Sequence, residues 1–159
     1  MTSFIIALFV SVTYQTTPVN VMTEKMVNEA LNIMDVYTRE CDFETSTQFY
    51  VSNSQVVGYE NDGNLRYRHN WDETKAVVKE LMDKCEGEYL NIEVIEKSIV
   101  LKDNAMEATS SNESTYDFRE ADGSVNRYHN KVVTLFEIRS KRLVVKETTF
   151  YNISVTSLD

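Results

Sequence analysis

The sequence predicts an α+β domain in which three N-terminal helices pack into the concave face of a bent antiparallel sheet. Apolar residues recur at helix-type spacing in the first half of the chain, whereas strand-like segments fill the second half. The turns between those segments are short, and parallel pairing would require crossovers of a dozen or more residues. We therefore expect one domain over residues 23–159 of the 159-residue chain.

Four long strands are predicted from Tyr89 onward, each about twice the usual length of about 5–6 residues. They are Tyr89–Leu101, Ala105–Phe118, Val125–Arg139 and Leu143–Ser154. In the third strand, Val132 and Phe136 share one face, whereas Val133 and Leu135 give the other face an apolar centre. A monomer would leave that centre in contact with water, so we expect a homodimer through the outer sheet face.

Three amphipathic helices and one hairpin are predicted before the long strands. Thr23 and Asp42 carry side chains that can cap the first two helices. Asp62-Gly63 separates two strand-like runs, which is a strong hairpin signal. The helices are expected over residues 23–41, 42–49 and 71–85, and the hairpin strands are Gln55–Glu60 and Leu65–His69.

Residues 1–22 carry no charged side chain and include an apolar run of nine residues, Phe4–Val12. A helix of that length is too short to span a bilayer, which needs about 20 residues. The run suits a secretory signal peptide, although no Lys or Arg precedes it and no clear cleavage site follows. The first interpretation is a signal peptide or disordered segment on a secreted or periplasmic protein; the alternative is a cytoplasmic protein.

The composition excludes several classes of partner and cofactor. A formal net charge of −9 argues against nucleic acid and anionic membrane as partners, because no basic stripe is present.

Cys41 and Cys85 have no histidine at metal-binding spacing, and we expect neither a metal nor a cofactor. Both cysteines close a predicted helix, so we expect buried thiols; the alternative is a disulfide between the helix ends, which requires an oxidising compartment.

The order helix, short helix, hairpin, helix and four long strands resembles the NTF2-like fold, in particular its SnoaL-like and DUF4440-like members. The resemblance covers roughly residues 23–154 and rests on patterns, none of them a catalytic signature. The matching segments are Cys41-Asp42-Phe43, Asp62-Gly63, Trp71-Asp72-Glu73, Asp103-Asn104-Ala105 and Val132-Thr134-Phe136. The resemblance implies a cone with a pocket at its open end, commonly dimeric through the outer sheet face.

The sequence departs from the catalytic members of that fold at the positions that carry their chemistry. The steroid-isomerase-like branch uses a tyrosine on the first helix and a carboxylate near the end of the first strand. Aligned on the turn at Asp42, those positions hold Met34 and either Gly58 or Tyr59. Many SnoaL-like members carry a histidine on the last strand, where this chain offers Glu147 as its only well-placed acid.

Glu147 and His69 are the two candidate bases. A histidine at the cavity mouth could accept a proton near neutral pH, although a surface histidine is the simpler interpretation. Glu147 could act as a base if aromatic neighbours remove its hydration, although a solvated or lysine-paired carboxylate is the simpler interpretation. The expected pocket lining, besides these two, is Tyr67, Trp71, Tyr116, Asn130, Thr149 and Tyr151.

Two functions fit these residues and this fold. The favoured one is a non-catalytic module that binds a hydrophobic small molecule or forms a dimeric interaction domain, because the recognised catalytic positions are not filled. The alternative is a cofactor-free isomerase, cyclase or dehydratase that acts on a hydrophobic carbonyl compound. A deep cavity with Glu147 or His69 pointing into it would support the enzyme, whereas a filled or shallow cone would support the binding module.

Overall fold

A computed structural model of the protein describes residues 19–158. The described chain follows the predicted order of helices and strands. The elements are α1 (Glu24–Arg39), α2 (Phe43–Ser46), β1 (Tyr50–Tyr59), β2 (Leu65–Asn70), α3 (Trp71–Lys84), β3 (Glu88–Leu101), β4 (Glu107–Arg119), β5 (Val125–Arg139) and β6 (Arg142–Ser157). The predicted N-terminal segment, residues 1–22, lies mostly outside the described residues.

One bent six-stranded sheet has the order β2-β1-β6-β5-β4-β3. Four neighbouring pairs are antiparallel, as predicted, and β3 to β6 form the expected meander. The prediction of a wholly antiparallel sheet is wrong for β1 and β6, which run parallel. The chain between them includes α3 and four strands, β2 to β5, so it is long enough for the crossover that parallel pairing requires. The α+β class with helices beside a bent, unclosed sheet is confirmed.

The core lies between α1 and one face of the sheet, which we name the concave face; the opposite face is the outer face. Thr23 caps α1 by accepting a hydrogen bond from the Met26 backbone nitrogen at 3.2 Å. Phe136 on β5 and Val145 on β6 are fully buried beneath this helix. The buried cluster comprises Met22, Val27, Ala30, Ile33, Phe49, Ala108, Phe136, Leu143 and Val145.

The two long helices cover different parts of the concave face. On α1, Asn28 accepts a hydrogen bond from the Lys97 ammonium of β3 at 2.6 Å. At the start of α3, the Trp71 ring stacks on Tyr50 with ring centroids 4.5 Å apart. The Tyr50 hydroxyl in turn lies 2.8 Å from the Thr148 hydroxyl of β6, which fixes this end of α3 on the concave side. No helix of the described chain is long and apolar enough to cross a membrane.

A disulfide joins Cys41, just after α1, to Cys85 at the end of α3, with the two Cα atoms 5.7 Å apart. The expectation of two buried thiols is therefore wrong, and the alternative of a bridge between the helix ends is the observed arrangement. Both residues have positive φ angles, 58° and 47°, beyond the last helical turns. This left-handed conformation ends each helix.

On the outer face, Asp117 of β4 is held by Arg127 of β5 and Asn91 of β3. Arg127 Nε and Nη2 donate to the carboxylate at 2.7 and 3.0 Å, and Asn91 Nδ2 donates at 2.9 Å. These hydrogen bonds, from Arg127 first and then Asn91, lower the pKa of Asp117 from 3.8 to about 2. The charged carboxylate is thus tied to both neighbouring strands.

We expect Asp117→Asn to lower the melting temperature at pH 6 and to make little difference at pH 2. A carboxyl whose pKa is depressed by folding stabilises the protein above its unfolded-state pKa, and loses that contribution as pH falls from about 4 towards 2. Melting curves of both proteins between pH 2 and pH 6 measure the difference. A gap between the two proteins that stays constant with pH would contradict this assignment.

Candidate functional site

The concave face has a filled half and an open half. In the filled half, Ser110, Thr134 and Thr148 form a buried row across β4, β5 and β6. In the open half, Phe150 of β6 and Val94 of β3 are exposed. The open half therefore offers apolar surface that no described element covers.

A groove of about 580 Å³ lies at the mouth of the cone, between the ends of α1 and α3 and the start of β3. The Cys41–Cys85 disulfide borders it. Its apolar lining includes Leu81, Met82, Tyr89, Leu90, Ile92 and Phe118. The volume falls within the range of about 300–1,000 Å³ that is typical of ligand sites.

Aromatic side chains extend the wall of the groove along the concave face. The Tyr89 ring lies 5.0 Å from that of Phe118 and 5.3 Å from that of Tyr116, which stacks on Tyr128 at 5.2 Å. Loss of hydration raises the pKa of Tyr116 to about 12. Tyr116 is therefore a neutral phenol near pH 7, able to form hydrogen bonds but not to act as an anionic base.

Tyr116 and Asn130, both expected in the pocket lining, do lie together on the concave face. Asn130 Nδ2 donates to the Tyr116 hydroxyl at 2.9 Å. Tyr116 pairs with Tyr128 across β4 and β5, in the row next to the one that contains Asn130. The two side chains therefore lie together, and their role in a pocket stays a prediction.

Glu147, Thr149 and Tyr151 lie on the outer face, so the prediction that they line the same pocket as Asn130 is wrong. Phe136 pairs with Val145, but the preceding residue of β5, Leu135, pairs with Glu147, which leaves one extra residue in β6. Such a bulge reverses the alternation of side chains beyond it. Without the bulge, Glu147 would face the concave side as predicted.

Glu147 is engaged by neighbours on the outer face. Arg68 Nη1 lies 3.1 Å from one carboxylate oxygen, and the Thr149 hydroxyl donates to the other at 3.1 Å. The Glu147 side chain is 27% exposed, and Tyr151 stacks on Tyr59 with ring centroids 5.1 Å apart. This environment is that of an ion-paired strand residue, the simpler of the two interpretations of Glu147.

His69, Tyr67 and Trp71 do not line the groove either. The His69 side chain is exposed, with Nδ1 3.6 Å from a carboxylate oxygen of Glu73, and its ring stacks on Tyr67 at 6.1 Å. Tyr67 lies over Gly58, where a Cβ atom would come within 2.4 Å of its ring. Trp71 is buried against Tyr50, so it acts as a core residue.

The groove residues Leu81, Ile92 and Phe118 were not predicted as site residues from the sequence. Signals for them were present: Leu81 belongs to the apolar face of α3, and Phe118 shares a strand face with Tyr116. Within residues 19–158, no group of three or more His, Cys, Asp or Glu side chains is placed to hold a metal ion.

Similarity to known proteins is found in structure and not in sequence. No family model matches the chain, and no curated protein matches it significantly. Among solved structures, an NTF2-like protein of unknown function from Pseudomonas putida superposes with a TM-score of 0.60 and 11% identity. That match covers 80% of this chain and 84% of the other.

Two further similar structures carry names that refer to enzymes. Hexachlorocyclohexane dehydrochlorinase LinA-type3 from Novosphingobium barchaimii gives a TM-score of 0.64 at 6% identity, covering 84% of this chain and 91% of that one. A ketosteroid isomerase-like protein from Erwinia carotovora atroseptica gives 0.61 at 13%, covering 82% and 95%. At such identities the comparisons establish fold and leave activity open. The chain therefore has the NTF2-like fold.

Proposed function

We propose that this protein is a non-catalytic module that binds a hydrophobic small molecule in the groove at the mouth of the cone. The observation that carries the proposal is the groove of about 580 Å³, whose lining is about half apolar and does not include the candidate bases Glu147 and His69. NTF2-like neighbours include proteins of unknown function as well as enzymes. The fold alone favours neither class.

The apolar walls are the strongest support. Leu81 is 63% exposed, and Ile92 across the groove is also exposed. Covering a Leu or Ile side chain fully is worth about 1.5–3 kcal/mol, so a ligand that contacts both would gain from apolar burial. Two charged groups at the rim are already paired: Arg39 with Asp35, and Glu88 with Arg119.

The alternative function is a cofactor-free isomerase, cyclase or dehydratase acting on a hydrophobic carbonyl compound. One observation favours it: the neutral Tyr116 phenol beside the groove could donate a hydrogen bond to a carbonyl oxygen. The acidic residues that line the groove, Glu86 and Glu88, are both exposed, and Glu88 is paired with Arg119. We therefore place the alternative second.

Leu81→Lys is expected to weaken binding of the uncharged fluorescent probe N-phenyl-1-naphthylamine at least about tenfold. A charged ammonium in the groove would have to be desolvated when the apolar probe binds. Val77→Lys is the matched control, because Val77 is 58% exposed on the same helix and does not line the groove. Fluorescence titration compares the three proteins. Equal weakening by both substitutions, or no binding by the wild type, would reject the groove as the site.

A homodimer through the outer face remains part of the proposal. Leu135 and Val133 of β5 are half-buried there. Leu135 lies between Thr109 of β4 and Glu147 of β6. Light scattering at micromolar concentration should give about twice the chain mass of 18.4 kDa, and Leu135→Lys should halve the measured mass. Val94→Lys, at an exposed position on the concave face of the edge strand β3, serves as the control. A wild-type mass near one chain would reject the dimer.

A further inference from the structure

Three asparagines lie side by side in the open half of the concave face. Asn130 of β5 pairs directly with Asn152 of β6. Asn112 of β4 pairs with Val132, two residues along the same face of β5 from Asn130. Adjacent strands are about 4.8 Å apart, so the three amides form a polar strip across the floor of the cone.

Each of these amides has an unused acceptor. The Oδ1 atoms of Asn112, Asn130 and Asn152 are buried and have no hydrogen-bond partner among the described residues. The amide nitrogen of Asn130 is used, since it donates to the Tyr116 hydroxyl. Buried carbonyl oxygens are normally paired, because leaving one unpaired is costly. Three such atoms on neighbouring strands point to recognition of a group that donates hydrogen bonds.

The strip lies on the same sheet face as one wall of the groove. Ile92, which lines the groove, pairs with Tyr116 across β3 and β4. In the adjacent row, Val94, Ser114, Asn130 and Asn152 follow one another from β3 to β6. Only an elongated ligand whose apolar body lies against Ile92 and Tyr116 would bring its far end to Asn130, two strands away on β5. The neighbouring Phe150 is exposed and apolar, which leaves the amides as a polar site in an apolar floor.

We propose that the asparagine strip selects ligands that carry a hydroxyl or amine donor on an apolar body. This inference rests on the proposed function and narrows it to one ligand class. The amide oxygens accept from the donor, while the groove contacts the apolar part. Rotation of an amide about its terminal bond turns its oxygen towards the bound donor without moving the strand.

The test uses two elongated probes of the same framework, trans-4-hydroxystilbene, which has a donor, and trans-4-methoxystilbene, which has none. Affinities are measured by fluorescence titration and corrected for partitioning between water and octane. After that correction the wild type should bind trans-4-hydroxystilbene at least about tenfold more tightly, because a hydrogen bond made in an apolar site keeps most of its strength. Asn152→Leu should abolish that preference while trans-4-methoxystilbene binds at least as tightly as before. Asn152→Asp keeps an acceptor at the site and should retain the preference.

The outcomes separate this inference from the function on which it rests. If both probes bind equally to the wild type, or Asn152→Leu keeps the preference, donor selection is wrong. The binding function then still stands, provided that Leu81→Lys weakens both probes. If neither probe binds the wild type, the proposed function is wrong as well. Melting curves of both Asn152 variants establish that each remains folded during the titration.

Discussion

Phe136→Ala is expected to lower the free energy of unfolding by about 3–5 kcal/mol. Phe136 has no exposed surface and lies at the centre of the cluster between α1 and the sheet. Its ring fills the space beneath α1 together with Val27 and Val145. Truncation to alanine removes the transfer free energy of the ring and leaves a cavity that the backbone hydrogen bonds of β4 and β6 hold open.

Urea unfolding followed by circular dichroism measures this loss. Phe150→Ala is the matched control, because it removes the same ring from the same concave face at a position that is 39% exposed. That substitution should cost clearly less, since part of its ring already contacts water. Equal losses for both variants would mean that the open half of the cone is packed as tightly as the filled half. The division of the concave face into two halves would then be wrong.

The fold could be predicted from the sequence because its signals were local and repeated. The long strands β3 to β6 alternate apolar and polar residues and are separated by short turns, so each segment could be recognised by itself. The parallel pairing of β1 with β6 could not be predicted in this way. It joins segments that are distant in sequence, and a strand's own pattern does not specify which neighbour it takes.

The site was harder to predict because one extra residue in a strand reverses which of its side chains lie on the concave face. Tyr116 and Asn130 lie together on one face, as their strand positions indicate, since no bulge interrupts the pairing of β4 with β5. The bulge in β6 at Lys146 carried Glu147 to the outer face, where it pairs with Arg68. A bulge has no reliable sequence signature, so period-two reasoning fails beyond it. The groove also depends on how the ends of α1 and α3 lie relative to each other. The spacing of apolar residues along each helix does not predict that arrangement.

The disulfide bears on where the protein works. Cys41 and Cys85 are the only cysteines of the chain, and they are paired. Disulfides persist in oxidising compartments and are rare in the cytosol of mesophiles. We therefore propose a secreted or periplasmic location, with a cytoplasmic one as the alternative. The absence of free thiols in protein from its natural source, titrated in denaturant, would support export, and two free thiols would reject it.

Replacing both Cys41 and Cys85 with serine should lower the free energy of unfolding by roughly 4 kcal/mol. The bridge closes a loop across a sequence separation of 44 residues, and the chain-entropy relation for such a loop gives that magnitude. Urea unfolding with and without a thiol reductant measures the effect. The reductant should bring the wild type to the stability of the double variant and leave the variant unchanged. If the reductant left the free energy of unfolding of the wild type unchanged, the bridge would contribute nothing to stability. Because the bridge borders the groove, the double variant should also bind N-phenyl-1-naphthylamine more weakly than the wild type does. This binding is measured in buffer without urea, in which the double variant remains folded.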